Sequence, residues 1–476
     1  MENYYRLIVP RLNGDEISSK SGYYLSLVRK GIAGFIIFGG QLEETREFIM
    51  RLQEESTLPL IISSDLERGL GQQIKGGTPF PPAMALASAT RRRRKDGIIL
   101  LRKAFEALAA ESAYAGINTI FAPVLDINTN PENPIIAARA FGEDSDTVSL
   151  FGCEMVRALQ RCGIAACGKH FPGHGDTGTD SHIGLPLISR SMQALKRQEL
   201  KPFRRAISAG VKMMMMGHLS VPAIDPSGIP LSVSGKAVSF LRREMKFRGI
   251  VITDAMDMGG LGKFSEEEAS LMALNAGVDI LLHPSDPEKI VDHLGKKRAA
   301  FHPRRLDRFR AGLKQIRSGT APPFDEHLAL SRELTGRAIS ISGGIGRREK
   351  TFVVILNDEE EEKGAVFRRR LKANLGDVGF RTLRRTSGAQ RISLPREAFT
   401  VVAIFSETRA WKGGASSWLH DRLSYMADKA DLLVSFGSPY LLPHLKKTAR
   451  MYAYWDDSTA QEAAADVIAR KFSGKS

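Results

Sequence analysis

Over the first 320 residues, short apolar runs alternate with longer stretches whose apolar residues recur at a spacing near 3.6. The runs at 6–10, 34–38, 60–64, 119–123, 165–168, 212–216, 250–253 and 279–282 read as strands. The stretches between them, such as FEALAAESAYAG, SLFGCEMVRALQRCG and LKPFRRAISAG, read as helices with one apolar face. Strand and helix in strict alternation imply parallel pairing, because each helix carries the chain back to the same end of the sheet. Eight such units predict a closed (β/α)8 TIM-like barrel.

The pattern changes after residue 320. GTAPPFDEH reads as a domain entry, and the runs TFVVILN, FTVVAIF and LLVSFGS alternate with helical stretches. The predicted organisation is a barrel over 1–320, a linker or helical connection over 321–350, and a smaller α/β layer domain over 351–476.

Polar residues fall where a barrel enzyme needs them. Asp65, Asp126, Lys169 with His170, His218, Asp254 and His283 each follow an apolar run. Barrel active sites form at the carboxyl ends of the strands. Six of eight strand ends carrying an ionisable group there point to chemistry rather than stability.

Composition adds limits. The chain has 476 residues, 43% of them hydrophobic and 25% charged, as expected of a globular protein. It holds no run of 18 apolar residues, so no membrane span is expected. The N-terminal stretch MENYYRLIVPRLNGDE lacks a basic-then-apolar leader, which reads as cytoplasmic. Cys153, Cys162 and Cys167 are too few and wrongly spaced for a disulfide framework and read as packed thiols. The net charge is +15, with RRRRK at 91–95. No interleaved aromatics accompany that run, so nucleic acid is not expected as a partner and a solvated helix start is the reading. The acidic run at 358–362 reads as a surface turn.

The segment at 169–182, KHFPGHGDTGTDSH, holds one lysine, three histidines and two aspartates. Glycines at 173, 175 and 178 and a proline exclude a helix and predict a long, flexible loop. Asp180 and His182 are two apart, so both side chains can share one side of an extended segment. A carboxylate on one imidazole nitrogen fixes the tautomer and raises the basicity of the other, which makes His182 a candidate general acid/base. Asp254 ends the run GIVITDAMDMGG and suits a nucleophile, a general base or a metal ligand, with Asp257 as a weaker competitor. Lys169 and His170 at a strand end, Arg139 as a fork-shaped donor and Asp65 as an acceptor of two hydroxyl groups suit the binding of a sugar.

These segments resemble glycoside hydrolase family 3, in its β-N-acetylglucosaminidase (NagZ-like), two-domain branch. The resemblance rests on KHFPGHGDTGTDSH, ITDAMDM, FAPVLDINTNPENPIIAARAFGED and GHLSVPAIDPSGIPLSVS, and it covers nearly the whole barrel. The tail, with FSETRAWKG, VSFGSPYLL and YWDDSTAQEAAADVI, resembles the α/β (αβα) sandwich that follows the barrel in two-domain members. The resemblance implies a retaining mechanism. Asp254 matches the nucleophile, His182 the acid/base and Asp180 its dyad partner. Asp65, Arg139, Lys169 and His170 match residues that hold the sugar. Two departures stand out. The pair of glycines usual after D-x-E is replaced where Asp65-Leu66-Glu67 runs into Arg68-Gly69-Leu70, and Ala137 stands where the family usually has glycine.

The expectation is therefore a retaining exo-β-N-acetylglucosaminidase acting on cell-wall fragments or chitin oligomers, with no cofactor and no metal. A phosphorylase built on the same residues, a β-glucosidase, a metal-dependent hydrolase using His170, His174, His182 and Asp254, and a non-catalytic sugar-binding protein are the competing readings.

Overall fold

The computed structural model describes residues 2–91, 93–313, 319–346, 348–387, 394–395, 397–408, 412, 414–443 and 448–472. Arg92 of the basic run and residues 409–411 and 413 of the FSETRAWKG segment lie outside them. Among the described residues no helix is long and apolar enough to cross a membrane. The three cysteines are all free thiols.

The chain divides into two compact units. The first is the barrel. Its strands are β1 (Ile8–Val9), β2 (Arg11–Asn13), β3 (Gly34–Phe38), β4 (Ile61–Ser64), β5 (Thr119–Ile120), β6 (Ala165–Phe171), β7 (Met213–Met216), β8 (Ile250–Ala255) and β9 (Ile280–Leu282). They form one parallel sheet in the order β1-β9-β8-β7-β6-β5-β4-β3-β2. Only Pro10 separates β1 from β2, so the two ends of the sheet are halves of one strand and the sheet closes on itself. A proline has no N–H for the ladder, which is why that strand is split there. The result is the eight-strand barrel that the alternation predicts. Strands such as GFIIF and MMMM are buried almost throughout, because a parallel sheet is covered on both faces.

Several strands differ from expectation in length: besides the split first strand, β8 runs on to Ala255 and takes in Asp254, and β5 and β6 differ as well. The regular ladder of β5 stops at Ile120, and pairing with β6 returns as an isolated bridge from Val124 to Lys169, beyond Pro123. β6 runs on to Phe171, so Lys169 and His170 lie within the strand rather than after it. Its register against β7 shifts between Gly168 and Phe171.

The second unit contains a six-stranded sheet. Its strands are β10 (Ser340–Ser342), β11 (Lys350–Asn357), β12 (Val378–Arg384), β13 (Ala398–Ser406), β14 (Leu432–Gly437) and β15 (Ala449–Tyr452), in the order β10-β15-β14-β13-β11-β12. All pairs are parallel except β10 with β15. The period-2 alternation of strand side chains sorts two cores. Val353, Ile355, Val401, Ala403 and Phe405 pack on one face with helices Ala365–Leu375 and Ser458–Phe472. Val354, Leu356, Val402 and Ile404 pack on the other with helix Ser417–Met426. This is the helix–sheet–helix sandwich. Two segments from the first part of the sequence, 81–101 and 131–139, belong to this unit.

The acidic run at 358–362 is only partly a surface turn. Glu360, Glu361 and Glu362 are exposed, but Asp358 is buried at the end of β11. It accepts hydrogen bonds from Ser406 Oγ at 3.0 Å, from Ser416 N at 3.1 Å and from the Ser416 hydroxyl. Three donors compensate the lost water, which makes the burial of this carboxylate tolerable.

Candidate active site

β6 and β8 supply the centre. Lys169, on β6, is almost wholly buried, with its Nζ 2.6 Å from Asp65 Oδ1 and 2.6 Å from Glu67 Oε1. An ammonium taken out of water needs such partners, and two carboxylates supply them. Asp65 is the more open of the two, with 28% of its side chain exposed against 9% for Glu67. Glu67 thus belongs to the site, as the D-x-E spacing two residues beyond Asp65 hints.

His170 is held by Asp126. Its Nδ1 lies 2.7 Å from Asp126 Oδ2, and its backbone N–H also donates to that carboxylate. The His174 N–H donates to the other oxygen at 2.7 Å. Burial pushes the Asp126 carboxyl up, but His170 and His174 outweigh it and hold the group below the usual carboxylate range. Because Asp126 accepts at Nδ1, the Nε2 edge of His170 is the one turned to other business.

Asp254 lies near the end of β8, buried, with its Oδ1 accepting from the Ala255 N–H at 2.9 Å. Burial again raises its carboxyl. His170, His218 and His182 around it, together with that N–H, more than reverse the effect, so Asp254 is held ionised. His218 is buried and its imidazole is pushed down by that burial. Its Nε2 donates to Ala255 O at 2.9 Å, which leaves Nδ1 to accept from Ser232 Oγ at 2.6 Å. His218 thus fixes the backbone directly after Asp254. Asp257 is engaged differently. Its Oδ2 lies 3.1 Å from His283 Nδ1, off the line of a hydrogen bond, and His283 sits edge-on to Phe38.

The segment at 169–182 folds back onto the loop that follows Asp254. Asp180 is buried, and its Oδ1 meets both His182 Nδ1 at 2.8 Å and the His182 N–H at 2.9 Å. The Gly259 N–H donates to His182 O at 3.2 Å. A Cβ on Gly259 would stand 2.8 Å from Ile183 O, and one on Gly260 would stand 2.7 Å from Ser181 O. The two glycines after ITDAMDM therefore permit this close approach. At the other end of the loop a Cβ on Gly175 would fall 1.7 Å from Ile127 O. His174 anchors the middle, with Nδ1 2.7 Å from Thr177 Oγ1 and Nε2 2.9 Å from Ser181 Oγ. Burial first, and then the neighbouring His170, lower the His174 imidazole to about 4. Asp176 accepts both arms of the Arg190 guanidinium at 2.7 and 2.8 Å.

Five of the seven residues singled out from the sequence therefore join into two linked groups. Asp65 and Lys169 pair directly. His170 and His182 both lie close enough to act on Asp254. Asp180 acts through His182. Asp254 is the sixth, at the centre. Arg139 lies in the 131–139 segment that packs with the second unit, where its Nη1 donates to Ile135 O at 2.9 Å. The adjoining Ala137 has a φ of +39°, a conformation that favours glycine, which accounts for the glycine usual there. Of the supporting residues, Asp126 and His218 are visible in the sequence as ionisable groups after apolar runs, His174 as part of the 169–182 motif, and Glu67 only through the D-x-E spacing.

The chain is similar to known proteins in sequence and in fold. Residues 16–300 match the model of the glycosyl hydrolase family 3 N terminal domain. The chain is 35% identical to beta-hexosaminidase A of Pseudoalteromonas piscicida over 54% of its own length and 46% of that protein's. It is 32% identical to a beta-hexosaminidase of Nitrosomonas eutropha, over 54% of this chain and 75% of that one. The aligned region thus spans about half the length of the Pseudoalteromonas relative. Among solved structures, a family 3 beta-N-acetylglucosaminidase from Paenibacillus superposes with a TM-score of 0.79 at 27% identity, covering 99% of this chain and 96% of that one. NagZ of Neisseria gonorrhoeae, in complex with N-trifluoroacetyl-D-glucosamine, superposes with a TM-score of 0.60 at 25% identity over 70% of this chain and 98% of its own. The family model covers well over half of the chain, and the chain belongs to glycosyl hydrolase family 3.

Proposed function

We propose that this protein is a retaining exo-β-N-acetylglucosaminidase that removes terminal N-acetylglucosamine from amino-sugar oligosaccharides such as cell-wall fragments or chitin oligomers. The observation that carries the reading is the buried, ionised Asp254 with the Asp180–His182 dyad docked on its own loop. Asp254 attacks the anomeric carbon as the glycosidic bond breaks. His182, its Nδ1–H held by Asp180, gives a proton from Nε2 to the leaving oxygen. The sugar is then an ester of Asp254, and its product half has left. In the second step His182 takes a proton from water, and that water displaces Asp254 with a second inversion. Retaining enzymes usually place two carboxyl groups about 5–5.5 Å apart for these two roles. Here the second is an imidazole backed by a carboxylate. Asp65, Lys169 and His170 hold the sugar through its hydroxyl groups. The names of the relatives, hexosaminidases and N-acetylglucosaminidases, support the amino-sugar preference.

Two measurements test this. Incubation with a slow 2-acetamido-5-fluoro glycoside and mass spectrometry of the digested protein should find the sugar on the peptide carrying Asp254. A label elsewhere, or none while turnover proceeds, overturns the nucleophile assignment. Paired aryl glycosides should show faster cleavage of the N-acetylglucosaminide than of the glucoside. A preference for the glucoside overturns the substrate.

A further inference from the structure

We propose that the second compact unit carries a binding site for a phosphorylated small molecule, in a cavity of about 550 Å³ ringed by Arg93, Arg332, Arg337, Arg470 and Lys471. The proposal is independent of the hydrolytic reaction, whose residues lie elsewhere in the chain.

The charge of the molecule is unevenly divided. The second unit holds 31 lysines and arginines against 19 aspartates and glutamates, so +12 of the net +15 resides there. Much of that excess converges on one hollow. Three separate segments supply its cations. Arg93 comes from the basic run in 81–101. Arg332 and Arg337 come from helix Phe324–Ala338. Arg470 and Lys471 come from the end of helix Ser458–Phe472. Ser88 Oγ donates to Ala338 O at 3.3 Å and ties the first segment to the second. Among the described residues Glu333 is the one acid on the lining, and it pairs with Arg337 at 2.7 Å, while Asp466 offsets part of the charge of Arg470.

Part of this has an ordinary cause, since cations favour the C-terminal end of a helix. That accounts for Arg470 and Lys471. It covers Arg337 too, in the last turn of helix Phe324–Ala338, but not Arg93 and Arg332, which lie outside any last helical turn. Like charges gathered in a concave surface raise one another's energy, and an anion relieves it. Four of the five cations are guanidinium groups, whose planar forks match phosphate oxygens two at a time. The lining also includes the apolar side chains of Ile339, Ile341 and Val467, which suit the carbon skeleton of a ligand. The volume falls in the range of small-molecule sites, about 300–1,000 Å³. Among the described residues no aromatic side chain lines the cavity, so they offer no stacking platform for single-stranded nucleic acid.

The test is isothermal titration of the full chain with pyrophosphate and, separately, with ATP. The expected result is one saturable site for at least one of the two probes. The double variant Arg332→Glu with Arg470→Glu should weaken binding at least tenfold, and so should Arg93→Glu alone, which keeps a folded readout if the double variant unfolds. Lys429→Glu makes the same charge change beyond the helix on the other face of the sheet and should leave the affinity unchanged. Three results overturn the proposal. One is no binding of either probe. Another is equal weakening by Lys429→Glu, which would reduce the effect to net charge. The last is binding of duplex DNA or of anionic phosphatidylserine vesicles that pyrophosphate does not displace.

Discussion

His182 and His174 are thirteen and five residues into one loop, yet their chemistry is opposite. His182 keeps about a fifth of its side chain exposed and is backed by Asp180, as a group that gains and loses a proton should be. Replacing it with Ala is expected to slow cleavage of a poor leaving group by roughly 10²–10⁴ and to slow a dinitrophenyl leaving group far less. Steady-state rates on the two substrates check this. His174 is buried and lowered to about 4, so it acts as a neutral anchor. Its folded value lies below its ordinary one of 6.5. Between the two, the unfolded chain binds a proton that the folded chain refuses. Its contribution to stability is therefore full above pH 6.5 and is lost progressively as the pH falls toward 4. Unfolding in urea at pH 7.5 and pH 5 should differ by about 2 kcal/mol from this source. His174→Gln should remove that difference. At this scale the sequence was informative. Asp254, Lys169, His170, Asp180 and His182 stand in a dense polar motif or at the end of an apolar run, and those are visible patterns. Glu67 was harder to see, because its role depends on Lys169, a hundred residues on, being buried between it and Asp65.

The loop at 169–182 shows how an element can be foreseen for an incomplete reason. Its glycines read as flexibility. Gly175 instead has a steric cause, the carbonyl of Ile127, and Gly259 and Gly260 give the docked loop room in the segment that follows Asp254. Gly175→Ala is therefore expected to displace the dyad while both hydrophobic cores persist. A shift of about 1 Å costs on the order of 10²-fold in rate. The expected result is a loss of kcat/KM of that size with an unchanged circular dichroism spectrum. An unchanged rate would show that the loop adapts. Strand lengths were less legible. β5 is shortened by Pro123 and β6 is longer than its apolar run, because Lys169 and His170 find buried partners and need no apolar side chain to stay in the strand. The run at 358–362 was read as uniform, although the first residue of a charge run can turn inward when a strand end offers it donors.

Across the whole molecule, the barrel and the sandwich each have a core of their own. Ile404→Ala, in the central strand β13 of the second unit, should cost about 2–5 kcal/mol of that unit's stability. Calorimetry is expected to show one transition moved to lower temperature and the barrel's transition in place. A joint shift of the whole profile would mean that the units unfold together. The alternation of strands and helices made both architectures readable, but not the packing of 81–101 and 131–139 with residues more than two hundred positions later. Periodicity reports which face of a segment is buried and is silent about against what. The seam of the barrel carries a last consequence. Ile8 and Val9 pair with Leu281 and Leu282 across the split at Pro10. During synthesis the first strand emerges early and must wait for nearly the whole barrel before its outer neighbour exists. Its other half, from Arg11 to Asn13, finds β3 almost at once. Local pairings close cheaply and distant ones late. The divided strand is therefore half an early folding nucleus and half a final clasp, and the catalytic rim is complete only when the clasp shuts.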